Sequence, residues 1–383
     1  MKKVLLSLAL VFLLFPARAQ EAEIRDTCAE NAILDAVMLI EEGRIADAGQ
    51  FLDSLKKIYP SNDAVLYYRG LCSYSEGDFE NALKNIKAAS ELDPSNNWYL
   101  ESLANLYIYT GSPAEAGGLY KTLAERNPFK FRNSYTLALM ADAYRLKRDY
   151  PAFFSTLTEL VQDENIDDEQ KFQALRGALG NFDSRTFKAI FPQMDTLILR
   201  YAEAEPSSVH AHNLRLQMAV TREDNQDILR ECEILMDLQP DDKDAQLTSL
   251  SIIGDTLHAM GENRKAYKAY EAALKIDPQY CPVLNNYAYF LSLEKRKMCK
   301  ATKMSRITVE KEPDNATYLD TYGWILYLRG KAKEAKPYFK HAMIYGGKES
   351  QVILEHYSKV LEKLGEKDRA DYYRNLSNNK KTK

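Results

Sequence analysis

Cysteine and histidine are scarce in this chain, and their spacing leaves little room for metal or disulfide chemistry. The 383 residues include five cysteines and five histidines. The cysteines form no CxxC pair and are odd in number, so at least one is free or pairs between chains, and a disulfide framework is not expected. Only His210 and His212 are close in sequence, and on a helix their side chains point about 200° apart. With no third ligand nearby, we predict no metal site.

Signatures of catalysis are also absent. The sequence has no G-x-x-x-x-G-K-[ST], G-x-S-x-G or H-E-x-x-H motif, which are typical of nucleotide-binding proteins, esterases and zinc proteases. Carboxylates are numerous, but no pair stands apart as an acid and a base. We therefore predict a protein that is not an enzyme and uses no cofactor. The alternative is a catalytic site within residues 131–205, which would require carboxylates or histidines that converge away from solvent.

The apolar run near the start is too short to cross a bilayer. From Val4 to Phe15 it spans twelve mostly apolar residues, whereas a spanning helix needs about 20. Two lysines precede this run and an A-R-A sequence follows it, which is the pattern of a signal peptide. We predict cleavage of residues 1–19 and export to the periplasm or cell envelope, with secretion as the lesser possibility. After cleavage no membrane span is expected, and an uncleaved anchor is the alternative.

What the sequence does contain is a regular spacing of apolar and small residues, clearest in residues 247–280, LTSLSIIGDTLHAMGENRKAYKAYEAALKIDPQY. Apolar residues recur there at helical intervals and predict two amphipathic helices. Gly261 would end the first helix, because glycine takes the left-handed conformation common at helix ends, and Pro278 would end the second. Gly254 and Ala266 are small where the two helices must touch. A single hairpin of this kind cannot bury its apolar face, so copies must stack.

The 34-residue interval recurs along most of the chain. Pro60, Pro94 and Pro128 are 34 residues apart twice in succession, and Pro206 and Pro240 repeat the interval. Between Pro128 and Pro206 the register loosens, and helices near 132–147, 150–162, 168–180 and 185–204 are only weakly patterned. Pro192 should kink or restart the last of these helices. This middle stretch is either decayed repeat or an insertion with a role of its own.

The 34-residue unit resembles the tetratricopeptide repeat. In residues 247–280 the agreement covers nine places of the frame, occupied by Leu250, Ile253, Gly254, Leu257, Gly261, Ala266, Tyr270, Ala273 and Pro278. The resemblance implies an all-α fold, a right-handed α-solenoid of stacked helix-turn-helix repeats, and the short lysine-initiated leader indicates an exported bacterial protein. We expect a signal peptide over 1–19, N-terminal repeats over 20–130, irregular helical repeats over 131–205, C-terminal repeats over 206–349, and capping helices with a polar tail over 350–383.

The charge is distributed unevenly along the chain. Residues 20–294 carry 27 basic and 44 acidic side chains, whereas residues 295–348 carry 13 basic and 5 acidic ones. Such polarity could orient an acidic partner toward the later repeats, although a solvated face that keeps the chain soluble is the commoner explanation. The predicted export and the overall negative charge argue against nucleic-acid binding. An alternative function is the binding of an anionic envelope ligand or polymer by the basic stretch from Lys295 to Lys340.

Resemblance to the repeat family implies that the first helices of successive repeats line a groove for a protein or peptide partner. Aromatic side chains would supply contact area, and amide or carboxylate groups would fix the register of the partner. We therefore expect a non-enzymatic scaffold or adaptor, with an envelope-assembly complex as a candidate setting. An alternative for each residue is that it packs between neighbouring helices. The residues assigned to the groove are Tyr67, Tyr68, Trp98, Tyr109, Asn285, Asn286, Tyr289, Asp320, Trp324, Tyr327 and His356.

Overall fold

The computed structural model describes residues 28–180 and 182–381, and within them the regular secondary structure is entirely helical. This confirms the predicted all-α fold of stacked helix-turn-helix repeats. The predicted signal peptide, residues 1–19, lies outside the described residues. Within those residues, no helix combines the length and the apolar character that crossing a membrane requires.

The helices form two compact units, the first ending at Glu205 and the second beginning at Pro206. In each unit, most consecutive helices pack against one another as hairpins, and most hairpins pack against the next. The described helices of the N-terminal unit are α1 (28–41), α2 (Ile45–Ile58), α3 (Asp63–Ser75), α4 (Phe79–Leu92), α5 (Asn97–Tyr109), α6 (Pro113–Arg126), α7 (Pro128–Phe131), α8 (Ser134–Leu146), α9 (Tyr150–Gln162), α10 (Asp168–Leu179) and α11 (Ser184–Ala204).

The C-terminal unit begins with a hairpin in which α12 packs against α13, and it ends with α20 packed against α21. A short 3-10 turn, Gly347–Glu349, precedes α20. Its helices are α12 (Val209–Arg222), α13 (Asn225–Leu238), α14 (Lys243–Ala259), α15 (Asn263–Ile276), α16 (Cys281–Leu293), α17 (Met298–Lys311), α18 (Ala316–Leu328), α19 (Ala332–Ala342), α20 (Gln351–Lys363) and α21 (Lys367–Lys381).

Glycine closes most of the hairpins, and three other residues close the rest with the same backbone conformation. Gly261 has a φ of 78° between α14 and α15, as the sequence predicts. Arg148, Glu223 and Lys295 occupy equivalent turns with φ between 51° and 59°. This left-handed conformation costs a residue with a Cβ about 1–2 kcal/mol. A search for glycine therefore misses these turns. The glycines that share the conformation are Gly43, Gly77, Gly111, Gly330 and Gly365.

The weakly patterned middle of the chain is helical where the sequence predicts it. The four predicted helices correspond to α8, α9, α10 and α11. The α8–α9 pair is a repeat-like hairpin in which Arg148 takes the place of the usual glycine. Helix α11 is continuous through Pro192, so the helix does not restart there. Beyond this hairpin the packing is less regular, because α10 packs against α8 and α11 packs against α9.

Small residues allow the paired helices to approach closely. A Cβ built on Gly254 in α14 would overlap the ring of Tyr270 in α15. Tyr270 is itself fully buried, and it shares a hydrophobic cluster with Val283 and Tyr287 of the following helix. The core thus continues from one hairpin to the next. This continuity is the stacking that a single amphipathic hairpin requires.

Candidate binding groove

The first helices of three hairpins in the N-terminal unit line an open apolar pocket, which we call the aromatic groove. The pocket has a volume of about 350 Å³, and its walls come from α3, α4, α5 and α8. Its residues are mainly apolar or aromatic, with a few polar groups, which is the usual composition of a ligand site. The residues that define it are Leu71, Tyr74, Ser102, Asn105, Tyr109 and Tyr135.

Tyrosine rings stand at the mouth of the aromatic groove. Tyr109 is 61% exposed, Tyr135 is 58% exposed and Tyr74 is 44% exposed. The rings of Tyr74 and Tyr109 meet edge to face, with centroids 5.7 Å apart. Phe79 supports Tyr109 from α4 at a centroid distance of 4.7 Å. The rings are therefore held in position while much of their surface remains accessible.

Two buried or half-buried tyrosines orient the polar groups of the groove. The Tyr120 hydroxyl donates to Asn105 Oδ1 at 2.6 Å, and burial raises the pKa of Tyr120 to about 12. The Asn105 amide nitrogen has no partner among the described residues, so it can donate to a bound carbonyl. The hydroxyls of Tyr67 and Ser102 are 2.9 Å apart. The groove therefore offers fixed hydrogen-bonding groups beside its apolar surface.

The predicted groove residues of the N-terminal unit differ in their surroundings. Tyr109 lines the pocket, whereas Tyr67 lies beside it through its contact with Ser102. Tyr68 is half-buried and contacts the ring of Tyr67 edge to face. Trp98 is 72% exposed and lies below the ammonium of Lys130, whose Nζ is 5.7 Å from the ring centroid.

In the C-terminal unit, the predicted groove residues pack against each other in what we call the buried aromatic cluster. Trp324 is only 8% exposed, and the imidazole of His356 stacks on it at a centroid distance of 3.9 Å. His356 Nδ1 is 2.9 Å from Asp320 Oδ1. Tyr327 stacks on Trp324 at 5.0 Å, and Tyr289 lies 6.4 Å from His356. These side chains are brought together, but most of their surface is already covered.

The remaining predicted residues belong to a hydrogen-bonded network beside that cluster. Asn286 Nδ2 donates to both carboxylate oxygens of Asp255 at 3.0 Å, and the Tyr270 hydroxyl donates to the same carboxylate at 2.5 Å. Burial raises the pKa of Asp255 despite these donors, and burial together with the Asp255 bond raises the pKa of Tyr270. Asn285 Nδ2 donates to Asn286 Oδ1 at 3.1 Å. These hydrogen bonds link three successive helices, α14, α15 and α16, through polar groups.

A buried charge cluster at the start of the C-terminal unit was not predicted from the sequence. Asp227 is 5% exposed and accepts hydrogen bonds from Arg215, Arg222 and Arg230. Glu231, one turn later, lies 2.7 Å from His212 Nδ1. The sequence feature that could have indicated this cluster is the spacing of Asp227 and Glu231, which lie four residues apart on one helix face.

The histidines and cysteines of the described residues form no metal-binding group. His212 Nε2 lies 3.2 Å from the Pro206 carbonyl oxygen. Across residues 28–180 and 182–381, no three His, Cys, Asp or Glu side chains lie together as a metal site requires. All five cysteines are free, and burial raises the pKa of the Cys232 thiol to about 12. Such a thiol is a poor nucleophile.

Comparison with known proteins identifies one repeat. The tetratricopeptide repeat profile matches residues 247–280. No curated protein sequence matches the chain. Among solved structures, the chain is similar to yeast Tom70, with 12% identity, a TM-score of 0.41 and coverage of 92% of each chain. It is also similar to a chain in the structure of Naa15/Naa10 bound to HypK-THB, with 13% identity, a TM-score of 0.44, and coverage of 91% of this chain and 68% of the other.

A third similar structure is the C-terminal part of a repeat-containing protein from Cytophaga hutchinsonii. The two chains are 15% identical with a TM-score of 0.36, and the match covers 64% of this chain and 95% of the other.

Proposed function

We propose that this protein is a non-enzymatic interaction module that holds a polypeptide segment of a partner in the aromatic groove. The observation that carries the proposal is the open pocket whose mouth is formed by Tyr74, Tyr109 and Tyr135. Rigid tyrosines provide contact area with little loss of side-chain entropy, and Asn105 and Ser102 provide groups that bond to a peptide backbone. A scaffold or adaptor role follows from this mode of binding.

We assign the primary contact to the N-terminal unit because the two predicted surfaces differ in accessibility. Tyr109 is 61% exposed, whereas Trp324 is 8% exposed beneath His356 and Tyr327. A partner would have to displace those rings to reach Trp324. The seven predicted residues of the C-terminal unit therefore form a secondary part of the proposal, in which Tyr289 and Tyr327, both partly exposed, make the contact.

The proposed place of action is the bacterial cell envelope. This part of the proposal is supported by the leader-like residues 1–19, with two lysines, an apolar run and the A-R-A sequence. A stack of hairpins that binds proteins is suited to holding components of an envelope-assembly complex together.

An anionic envelope polymer bound by the basic stretch Lys295 to Lys340 is the second candidate. Several of its basic groups are engaged with carboxylates, such as Lys300 with Glu271 at 3.1 Å and Lys336 with Glu366 at 2.6 Å. Others, including Lys303 and Lys333, are exposed. Affinity that collapses between low and high salt would favour this candidate, because exposed charges are strongly screened.

Selection from a random peptide library tests the aromatic groove directly. Peptides that bind the full chain are expected to lose affinity by about tenfold or more when Tyr74 and Tyr109 are both replaced by alanine, since loss of a central aromatic contact costs about 2 kcal/mol. The matched control replaces Phe129 and Tyr372, two exposed aromatics outside the groove, and should leave affinity unchanged. Equal loss in both double variants, or none in either, would reject the groove as the binding site.

A further inference from the structure

A second pocket of the N-terminal unit is lined by arginines. It lies where the turn between α8 and α9 meets the start of α11, and its volume is about 660 Å³. We call it the arginine pocket. It shares no lining residue with the aromatic groove. The residues that define it are Arg145, Arg148, Tyr150, Phe182, Arg185 and Thr186.

The positive charge of this pocket is only partly neutralised by the protein. Arg145 is held by Asp142, with its Nε 2.8 Å from Asp142 Oδ1. Arg148 and Arg185 are exposed, and neither has an ion-pair partner among the described residues. Two of the three guanidinium groups are therefore available to a ligand. A guanidinium presents several N–H donors in a plane, which matches the oxygens of a phosphate or carboxylate.

The one carboxylate in the lining is already committed to the backbone. Asp183 Oδ1 accepts from the backbone amides of Arg185 and Thr186, each at 2.9 Å. Its other oxygen accepts from the Thr186 hydroxyl at 2.7 Å, and these hydrogen bonds lower the pKa of Asp183. These cap hydrogen bonds occupy both Asp183 oxygens, and within the described residues Asp183 forms no ion pair with the arginines of the pocket. It also fixes the first turn of α11, from which Arg185 extends.

Arg148 has an unfavourable backbone conformation for a residue with a side chain. Its φ of 59° occurs at a turn where six other hairpins have glycine. The strain is local, and glycine would relieve it, so the fold does not require arginine there. Strained residues are often retained where their side chains act on a ligand. The side chain of Arg148 lines the pocket.

Aromatic rings form an apolar wall beside the charged groups. The centroids of Tyr150 and Phe182 are 6.2 Å apart, and Phe182 meets the fully buried Phe153 edge to face at 5.8 Å. An apolar wall lowers the local dielectric constant and so strengthens attraction between the guanidinium groups and an anion. It also supplies a surface for the uncharged part of a ligand.

We propose that the arginine pocket binds a multiply charged oxyanion, carried by a phosphorylated or polycarboxylate ligand. Arg148 and Arg185 contact the anion, while Arg145, positioned by Asp142, contributes charge from the pocket wall. This site differs from the basic stretch of the C-terminal unit, because its arginines surround a concave surface with an aromatic wall. It adds a small-anion site to a chain proposed to bind polypeptide elsewhere.

Calorimetric titration of the full chain with two probes tests this site. The probes are inorganic pyrophosphate and a short oligogalacturonate, which distinguish phosphate from polycarboxylate ligands. Wild type is expected to bind at least one of them. The Arg148→Gly/Arg185→Gln double variant should bind at least tenfold more weakly, with a melting temperature at or above that of wild type, because glycine relieves the strained turn.

The matched control removes two neighbouring charges that do not line the pocket, Lys147→Gln and Lys188→Gln. It carries the same change in net charge and is expected to alter affinity less than twofold. Equal weakening by both double variants would show general attraction to a basic surface and overturn the proposal. Failure of wild type to bind either probe would overturn it as well, while leaving the peptide groove untouched.

Discussion

Replacing Trp324 with alanine is expected to lower the free energy of unfolding of the C-terminal unit by about 3–5 kcal/mol, the usual cost of deleting a large buried aromatic side chain. Trp324 is 8% exposed, and the rings of His356 and Tyr327 both stack on it. Removing the indole would leave a cavity and also uncover the His356–Asp320 pair. Urea denaturation followed by the helical circular dichroism signal measures the loss.

The control is the only other tryptophan of the chain. Trp98 is 72% exposed, and surface substitutions of this kind usually change stability by less than about 0.5 kcal/mol. Trp98→Ala should therefore denature at nearly the same urea concentration as wild type. If the two alanine variants were equally stable, Trp324 would not be packed as described, and the C-terminal predicted residues would be free to act as a binding surface.

A second large effect is expected at the buried charge cluster. Asp227→Ala should cost about 3–5 kcal/mol, because removing one member of a buried ion pair leaves the opposite charge poorly compensated. Arg215 is 4% exposed, and the nearby Glu231 carboxylate, with an oxygen 3.9 Å from Arg215 Nε, lies beyond the range of about 2.7–3.2 Å for an N–H···O hydrogen bond to that nitrogen. Thermal and urea denaturation of the purified variant would measure this loss.

The control is a variant of another arginine that pairs with the Asp227 carboxylate. Arg230 also pairs with Asp227, but its side chain is 59% exposed, and an exposed ion pair contributes less than about 1 kcal/mol. Arg230→Ala should therefore be nearly neutral. An Asp227→Ala variant as stable as Arg230→Ala would contradict the interpretation of Asp227 as the centre of a desolvated cluster.

The hairpins were predictable because small and apolar residues at fixed intervals have a direct structural meaning. Gly261 takes the left-handed conformation, and Gly254 faces a ring of the paired helix. The turns at Arg148, Glu223 and Lys295 were not predictable in this way, because a residue with a Cβ adopts the left-handed conformation there at a cost of about 1–2 kcal/mol, and no glycine marks the turn.

The accessibility of the two tryptophans also depended on neighbours that the sequence does not identify. Both lie on first helices at places predicted to face the groove. Trp98 lies in the first turn of α5, where Lys130 covers one face only. Trp324 lies in the middle of α18, where His356 of α20 stacks on it. The repeat frame predicts the direction of a side chain, whereas the following hairpin decides whether that side chain is covered.

The groove face is open in the N-terminal unit, where Trp98 is 72% exposed, and filled in the C-terminal unit, where Trp324 is 8% exposed. The most direct test is iodide quenching of fluorescence in the single-tryptophan variants Trp324→Phe and Trp98→Phe. The first variant retains Trp98, which is expected to be quenched nearly as strongly as a free indole in solution. The second retains Trp324, which should be quenched several-fold less. Equal quenching of the two tryptophans would contradict the claim.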